Sequence, residues 1–379
     1  MLNILAVTLA LLAQSDTVHA RITARIGENS PTTPFLLGEI SGFAIDTAGR
    51  VYVADFQDPR IVVFGRDGRH LATIGRKGRG PGEFSAPTGP VIGPGGALYV
   101  RNMDQVERFT VDPSTGIASR FDRSFSGPSL APWQSKLPSI IDHARRFYFP
   151  VEVGMPDGLT HYSYIRYAID GRRLDSLPVP LYPTSRSSWA SVQTSPNGGR
   201  VVGGLAIVPF HPVPAWTVTE NGTVLSGPAD RYELNETDTR GTVLRTIRRP
   251  IAVERIPVAE RAESLQALRR RIDSLPIPIG RVRGASEEIK AQRLPLTYPF
   301  YRALQVANDN QVWVRRWSPP SIKRSSVFDV FTPAGSYTRT VIVPADCALL
   351  PVVIIRGNTI ACMEVDPDTG AESVIIAGF

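Results

Sequence analysis

Polar residues that could recognise a ligand recur at one phase of this chain, just past the ends of short alternating apolar runs. They are Asp55 with Asp58, Arg101 with Asp104, Glu152, Asp230-Arg231-Tyr232, Arg315-Arg316-Trp317 and Glu364. Carboxylates and guanidinium groups hydrogen-bond polar or anionic partners, and aromatic rings add stacking surface. If the fold carries these segments to one mouth, Asp55, Arg101, Asp104, Arg231, Tyr232, Arg315, Arg316 and Trp317 form the candidate ligand-binding set. Taken singly, each also reads as a loop anchor bonded to its neighbour.

Stronger chemistry has little to stand on. Beyond the first 20 residues the histidines are His70, His143, His161 and His211, none in an HxH or HExxH spacing, so all four read as structural and no metal ligand is assigned. No Gly-x-Ser-x-Gly elbow occurs, and no catalytic residue is assigned. The Gly-rich run Gly75–Gly82 lacks the Gly-Lys-Ser/Thr ending of a phosphate loop and opens no helical pattern. Cys347 and Cys362 are the two cysteines. A hairpin around Gly357-Asn358 places Cys362 opposite Val353, so a disulfide requires the chain to bend back after Pro344; a bridge and two buried thiols both remain open.

The elements that must position these residues are strands. Ile40–Phe84 divides into four: Gly42–Asp46, Arg50–Ala54, Arg60–Phe64 and His70–Ile74, with tight turns at Thr47-Ala48-Gly49 and Arg66-Asp67-Gly68. Val51 and Val53 alternate with Tyr52 and Ala54, the period of a pleated strand packed on both faces. Ala97-Leu98-Tyr99-Val100 repeats Arg50-Val51-Tyr52-Val53 at an offset of about 47 residues, which sets the repeat length. Asp170-Gly171-Arg172 and Gln311-Val312-Trp313-Val314 repeat other parts of the unit.

The run Gly-Arg-Val-Tyr-Val-Ala-Asp, then Arg-Ile-x-x-Phe, Asp-Gly-Arg and a Gly-rich exit ending Gly-Pro-Gly-Glu-Phe resembles the NHL-type blade of bacterial six-bladed β-propellers. The resemblance is strongest over residues 40–84 and implies an all-β, six-bladed β-propeller. Its blades are expected near 40–84, 89–124, 138–180, 215–250, 301–343 and 349–379. Only three strands remain for the last blade, so Arg21–Gly27 is expected to supply the fourth and close the ring. Residues 181–212 read as irregular with a stray strand at Val201–Val208. Ala262, Leu265, Leu268 and Ile272 fall at helical spacing within Val258–Leu275, so one helix is expected inside an insert spanning about 253–293. Related gluconolactonase-like and amidating-lyase-like propellers hold a divalent metal on the axis, but their ligand sets find no residue-by-residue match here.

Bulk properties narrow the function. The 379 residues carry a formal net charge of +7, and 38 of the 42 basic residues are Arg because only Lys77, Lys136, Lys290 and Lys323 are lysines. Those charges form no stripe, so nucleic acid is not the expected partner. The apolar run Ile4–Ala13 followed by Val18-His19-Ala20 reads as a signal peptide over residues 1–20, cut after Ala20, although Met1-Leu2-Asn3 brings no basic residue. No Cys follows the run to carry a lipid, and no later segment has the length and apolarity of a membrane helix. The expectation is an exported, monomeric recognition propeller, periplasmic or secreted. It would bind protein, glycan or a small anion at a channel mouth, without a cofactor (calcium alone left open). The alternative is a metal-dependent hydrolase or lyase of the lactonase-like kind.

Overall fold

The computed structural model describes residues 17–27, 30, 33–128, 136–154, 160–180, 182, 188–194, 200–207, 209–273, 294–318 and 325–379. Among the described residues six blade sheets follow one another, and within each blade's own run the strands pair antiparallel with the next in sequence. Blade one is Ile40–Ile45, Val51–Asp55, Arg60–Phe64 and His70–Ile74. Blade two is Pro87–Ile92, Leu98–Asn102, Gln105–Val111 and Ala118–Ser126. Blade three is Ile140–Ile141, Arg146–Gly154, Thr160–Ala168 and Arg173–Pro178. Blade four is Ala215–Val218, Val224–Gly227, Glu233–Thr237 and Val243–Arg248. Blade five is Tyr301–Val306, Val312–Arg316, Ser326–Phe331 and Tyr337–Val343. Ile354–Arg356, Thr359–Val365 and Glu372–Gly378 begin blade six.

Two N-terminal strands complete the ring. Strand β2 (Arg21–Gly27) pairs antiparallel with Glu372–Gly378, placing Ile26 opposite Val374 and Arg21 opposite Gly378, so the chain's two ends share blade six. Before it, β1 (Thr17–His19) adds in parallel to the outer strand of blade five. The expected closure is therefore present, with a further strand that the periodicity did not indicate.

Each seam between adjacent blades has its own apolar cluster. Tyr52, Ile61 and Val63 of blade one meet Leu98, Val100 and Phe109 of blade two. Tyr99 and Val106 then meet Phe147 and Phe149, and Tyr148 and Tyr164 meet Val218 and Val224. Leu225 and Leu234 meet Tyr301 and Phe331, and Trp313 and Phe328 meet Ile360 and Ile375. Ile26 and Ile376 meet Phe43 and Val51, which returns to blade one. Alternation along each strand feeds the seams on its two faces, so burial on both sides follows from period-two patterning.

Turns at the two ends of the ring differ in their fastening. At the lower end, Asp46 accepts from Arg50 Nε at 2.6 Å and from the Tyr52 hydroxyl at 3.2 Å. Two blades later Asp142 accepts from Arg146 Nε at 2.7 Å and the Tyr148 hydroxyl at 2.8 Å, the same device repeated. Along the axis the inner strands come very close. A Cβ on Gly42 would lie 2.7 Å from Pro90 Cδ and 3.1 Å from the Gly89 nitrogen.

Ser188–Thr194 and Arg200–Ile207 pair as a hairpin between blades three and four. The segment expected to be irregular thus carries two paired strands rather than a stray one. Helix α1 (Val258–Asp273) sits between blades four and five, pinned where the Tyr298 hydroxyl donates to Glu260 Oε2 at 2.6 Å and Arg261 Nη2 donates to the Leu294 carbonyl at 3.1 Å. Cys347 and Cys362 are joined in a disulfide, with Cys347 brought beside the second strand of blade six by a bridge to Glu364. Among the described residues no helix is long and apolar enough to cross a membrane.

Candidate functional site

The upper end of the ring carries the turns between second and third strands together with the segments that link blades. At this end the last residues of second strands fasten the incoming chain. Asp55 is fully buried and accepts the backbone N–H groups of Gly38 at 3.1 Å, and of Glu39 and Asp58 at 3.2 Å. Asn102 holds the matching place in blade two, its Oδ1 accepting from Ser85 at 2.9 Å and Ala86 at 3.0 Å. Glu364 does the same in blade six, accepting the Asp346 N–H at 3.1 Å. A side-chain acceptor here satisfies backbone donors that a link entering the inner strand would leave unpaired.

Blade two departs from blade one at this device, and a cleft results. Arg60 stands five residues after Asp55 and pairs with it at 3.5 Å. Five residues after Asn102 stands Glu107 instead, and Asn102 Nδ2 donates to its Oε1 at 2.5 Å. Glu107 is only 3% exposed, and its Oε2 has no hydrogen-bond partner among the described residues. Burial, partly opposed by the Asn102 hydrogen bond, pushes its carboxyl up to about 7. It lies against a cleft of about 440 Å³ walled by Arg79, Pro81, Met103, Asp104 and Phe121. One wall is the Gly-rich link, braced by Glu83, which accepts from Gly80 at 3.0 Å and pairs with Arg76 at 2.9 Å. The opposite wall is the tight turn at Met103-Asp104; Met103 has φ 59° and is 61% exposed, so an apolar side chain is held out at the rim in the left-handed region. The cleft combines an open apolar rim with a buried acceptor, an arrangement that recognises a ligand carrying an N–H or O–H donor.

The remaining residues of the expected set are distributed through the ring. Asp104 walls the cleft. Arg101 is 3% exposed, donates from Nε to Thr88 Oγ1 at 3.0 Å and is pulled down to about 10 by burial. Arg315, equally buried, ties the link into blade six by donating to the carbonyls of Ala348 (3.0 Å) and Cys347, and burial, then Arg302, bring it down to about 10. The Tyr232 hydroxyl donates to Asp329 Oδ2 at 2.8 Å across the seam between blades four and five, and burial raises it well above the usual tyrosine range. Arg231 lies at the surface with Asp230 at 3.2 Å and Glu233 at 3.6 Å. Arg316 and Trp317 come together beside a small hollow of about 40 Å³, where Trp317 stacks on Tyr298 with ring centres 4.4 Å apart. The side chain of Glu152 falls outside the described residues. Only Asp104 of the set lines the larger cleft, whose buried carboxyl, Glu107, lies three residues beyond the turn and outside that phase.

The lower mouth holds a second polar group that the His spacing did not reveal. His143 Nε2 and Glu220 Oε2 are 2.7 Å apart, and the His143 N–H donates to the Glu220 carbonyl at 2.8 Å. Burial raises the Glu220 carboxyl, opposed by His143 and Arg356, while Asp309 adds to the rise. Among the described residues no group of three or more His, Cys, Asp or Glu is arranged to hold a metal ion.

Residues 32–105 match a family model described as "6-bladed beta-propeller". No curated protein matches. A Bacteroides vulgatus structure described as a member of the duf4221 family is similar at 11% identity and TM-score 0.51, over 95% of this chain and 97% of that one. A gluconolactonase from Xanthomonas campestris is similar at 11% identity and TM-score 0.42, covering 90% and 86% of the two chains. Virginiamycin B lyase from Staphylococcus aureus, solved with quinupristin, is similar at 12% identity and TM-score 0.37, covering 97% of each. The family match and the six successive blade sheets agree: the chain is a six-bladed β-propeller.

Proposed function

We propose that this chain is an exported recognition propeller of the NHL type that binds a donor-rich polar segment, a peptide or a glycan, in the cleft beside Glu107. One observation carries the reading. Glu107 Oε2 is a buried carboxyl oxygen without a protein donor at the floor of a concave surface. Buried acceptors are mostly satisfied, and Glu107 lines the cleft with this oxygen just beneath its surface, so a ligand donor that displaces the cover over it would complete the group. Met103 and Phe121 supply apolar contact beside it, and Asp104 adds a second acceptor. Two carboxyl groups against the single Arg79 oppose a small anion in this cleft. The disulfide suits an oxidising compartment and supports export.

Binding of the purified protein to glycan and peptide arrays tests the reading, followed by titration of the best ligand against Glu107→Gln and Phe121→Ala. Loss of a buried charge-assisted hydrogen bond of about 1.5–3 kcal/mol corresponds to an affinity roughly 10- to 100-fold weaker. Unchanged affinity in both variants, with their folds intact, would sink the proposal. A second reading rests on the same carboxyl, which lines the cleft together with Asp104 and is raised by burial, as suits a group that transfers a proton. Under that reading Glu107→Gln abolishes turnover of a bound ester, lactone or glycoside while leaving its binding in place.

A further inference from the structure

The N-terminal strands bear on which part of the chain is permanent. Thr17, Val18 and His19 lie opposite Thr340, Val341 and Ile342 at the outer edge of blade five. The Ala20 N–H donates to the Ile342 carbonyl at 2.9 Å, and Ala20 is 4% exposed within the cluster that contains Trp313, Phe328 and the two disulfide cysteines. Val18 and Ile22 pack against the same cluster. Without a break the chain then enters β2, which closes blade six. Thr17–Gly27 is therefore one staple, its first strand at the outer edge of blade five and its second the fourth strand of the neighbouring blade six.

Cleavage after Ala20 would remove all three paired positions and a buried core residue. It would also set a new ammonium group on Arg21 at the seam and return the backbone of Thr340–Ile342 to an open sheet edge, which favours pairing with other chains. We infer that Thr17–Ala20 belongs to the mature folded domain, as the edge strand of blade five, and that any leader is removed N-terminal to Thr17. Ala13, at the end of the apolar run, is a small residue on that side. The inference rests on the export reading only for the existence of a leader.

Two measurements test it. The full chain is expressed with its own N-terminus, fractionated, and its mature N-terminus sequenced. Separately, purified chains beginning at Thr17 and at Arg21 are compared by thermal melting. The expected results are an N-terminus at or before Thr17, and a chain from Arg21 that melts at least about 2 °C lower or fails to fold. An N-terminus at Arg21, or identical melting of the two chains, overturns the inference. Retention in the cytoplasm with Met1 in place would defeat the export reading, and the melting comparison would still decide the role of the strand.

Discussion

Asn102 gives one hydrogen of its amide to Glu107 Oε1 at 2.5 Å and the other to the Glu83 carbonyl at 3.1 Å, while its oxygen receives Ser85 and Ala86. One repeat earlier the same two places hold Asp55 and Arg60, an ion pair. The exchange of an ionic pair for an amide and an acid keeps the anchor but leaves one carboxyl oxygen of Glu107 without a donor.

That carboxyl makes stability depend on pH in a stated direction. Its folded value, about 7, lies above its ordinary value of 4.5. Below pH 4.5 both folded and unfolded forms are protonated and burial of the acid costs little. As pH rises toward 7 the unfolded chain ionises first, so folding loses stability across that window, and the deficit persists above it. Glu107→Gln should therefore melt higher than the parent at pH 8, by on the order of 1–2 kcal/mol with screening by cleft water allowed for, and equal to it at pH 4. Melting curves at the two pH values check this; a variant less stable at pH 8 would mean that the carboxylate is satisfied in the folded state.

The disulfide closes a short loop, Cys347 and Cys362 being 15 residues apart. Closing a loop of that size removes denatured-state freedom worth about 3 kcal/mol in the chain-entropy model. It also fastens the link into blade six, which Arg315 holds from the other side through the Ala348 and Cys347 carbonyls. Cys347→Ala with Cys362→Ala should lower the denaturation midpoint, and reductant should then no longer affect it. Equal midpoints for the parent with and without reductant, thiols verified free, would show that the bridge contributes nothing.

Much of this was legible because strand patterning is local. Val51 to Ala54 alternate within four residues, and the Asp67-Gly68 turn needs no distant partner. Arg21–Gly27 was legible by subtraction, since the last blade lacked a strand. The cleft was harder, because Glu107 sits past the turn and outside the phase that gathered Asp55 and Arg101. Its signal lay in comparing repeats: Asp55 and Arg60 against Asn102 and Glu107 changes a charge-balanced pair into an unbalanced one. His143 and Glu220 meet only through the ring and leave no local trace. The hairpin at Ser188–Thr194 was missed because its Ser, Gln and Thr residues weaken the apolar alternation.

Ring closure gives a further test. Ile26 of β2 is fully buried in the seam between blades six and one, beside Phe43, Val374 and Ile376. Ile26→Ala should cost about 2–5 kcal/mol, the range for a large core residue cut to Ala. Since β2 is held to that blade by its ladder with Glu372–Gly378 and by packing of Ile26, and not by a covalent link, the same change should speed proteolysis near Arg21–Gly27 ahead of the other blades. Limited proteolysis with N-terminal mapping reads this out, and uniform cleavage around the ring would contradict a closing role for the strand.

Tyr232 separates a structural tie from a ligand contact. Its hydroxyl reaches Asp329, which also meets Arg249 and accepts from Thr340 Oγ1 at 2.9 Å, so the carboxylate is surrounded by donors in a buried seam. Removal of one donor leaves Asp329 ion-paired but with an empty hydrogen-bonding position, a loss of about 1–3 kcal/mol. Tyr232→Phe should therefore lower stability by that amount and leave ligand affinity at the Glu107 cleft unchanged, because the residue lies in the seam between blades four and five, away from the cleft on blade two. Asp329→Asn should be worse, since it strands Arg249 beside a neutral amide. If Tyr232→Phe instead weakens binding without lowering the melting temperature, the seam, and not the blade-two rim, is where the ligand sits.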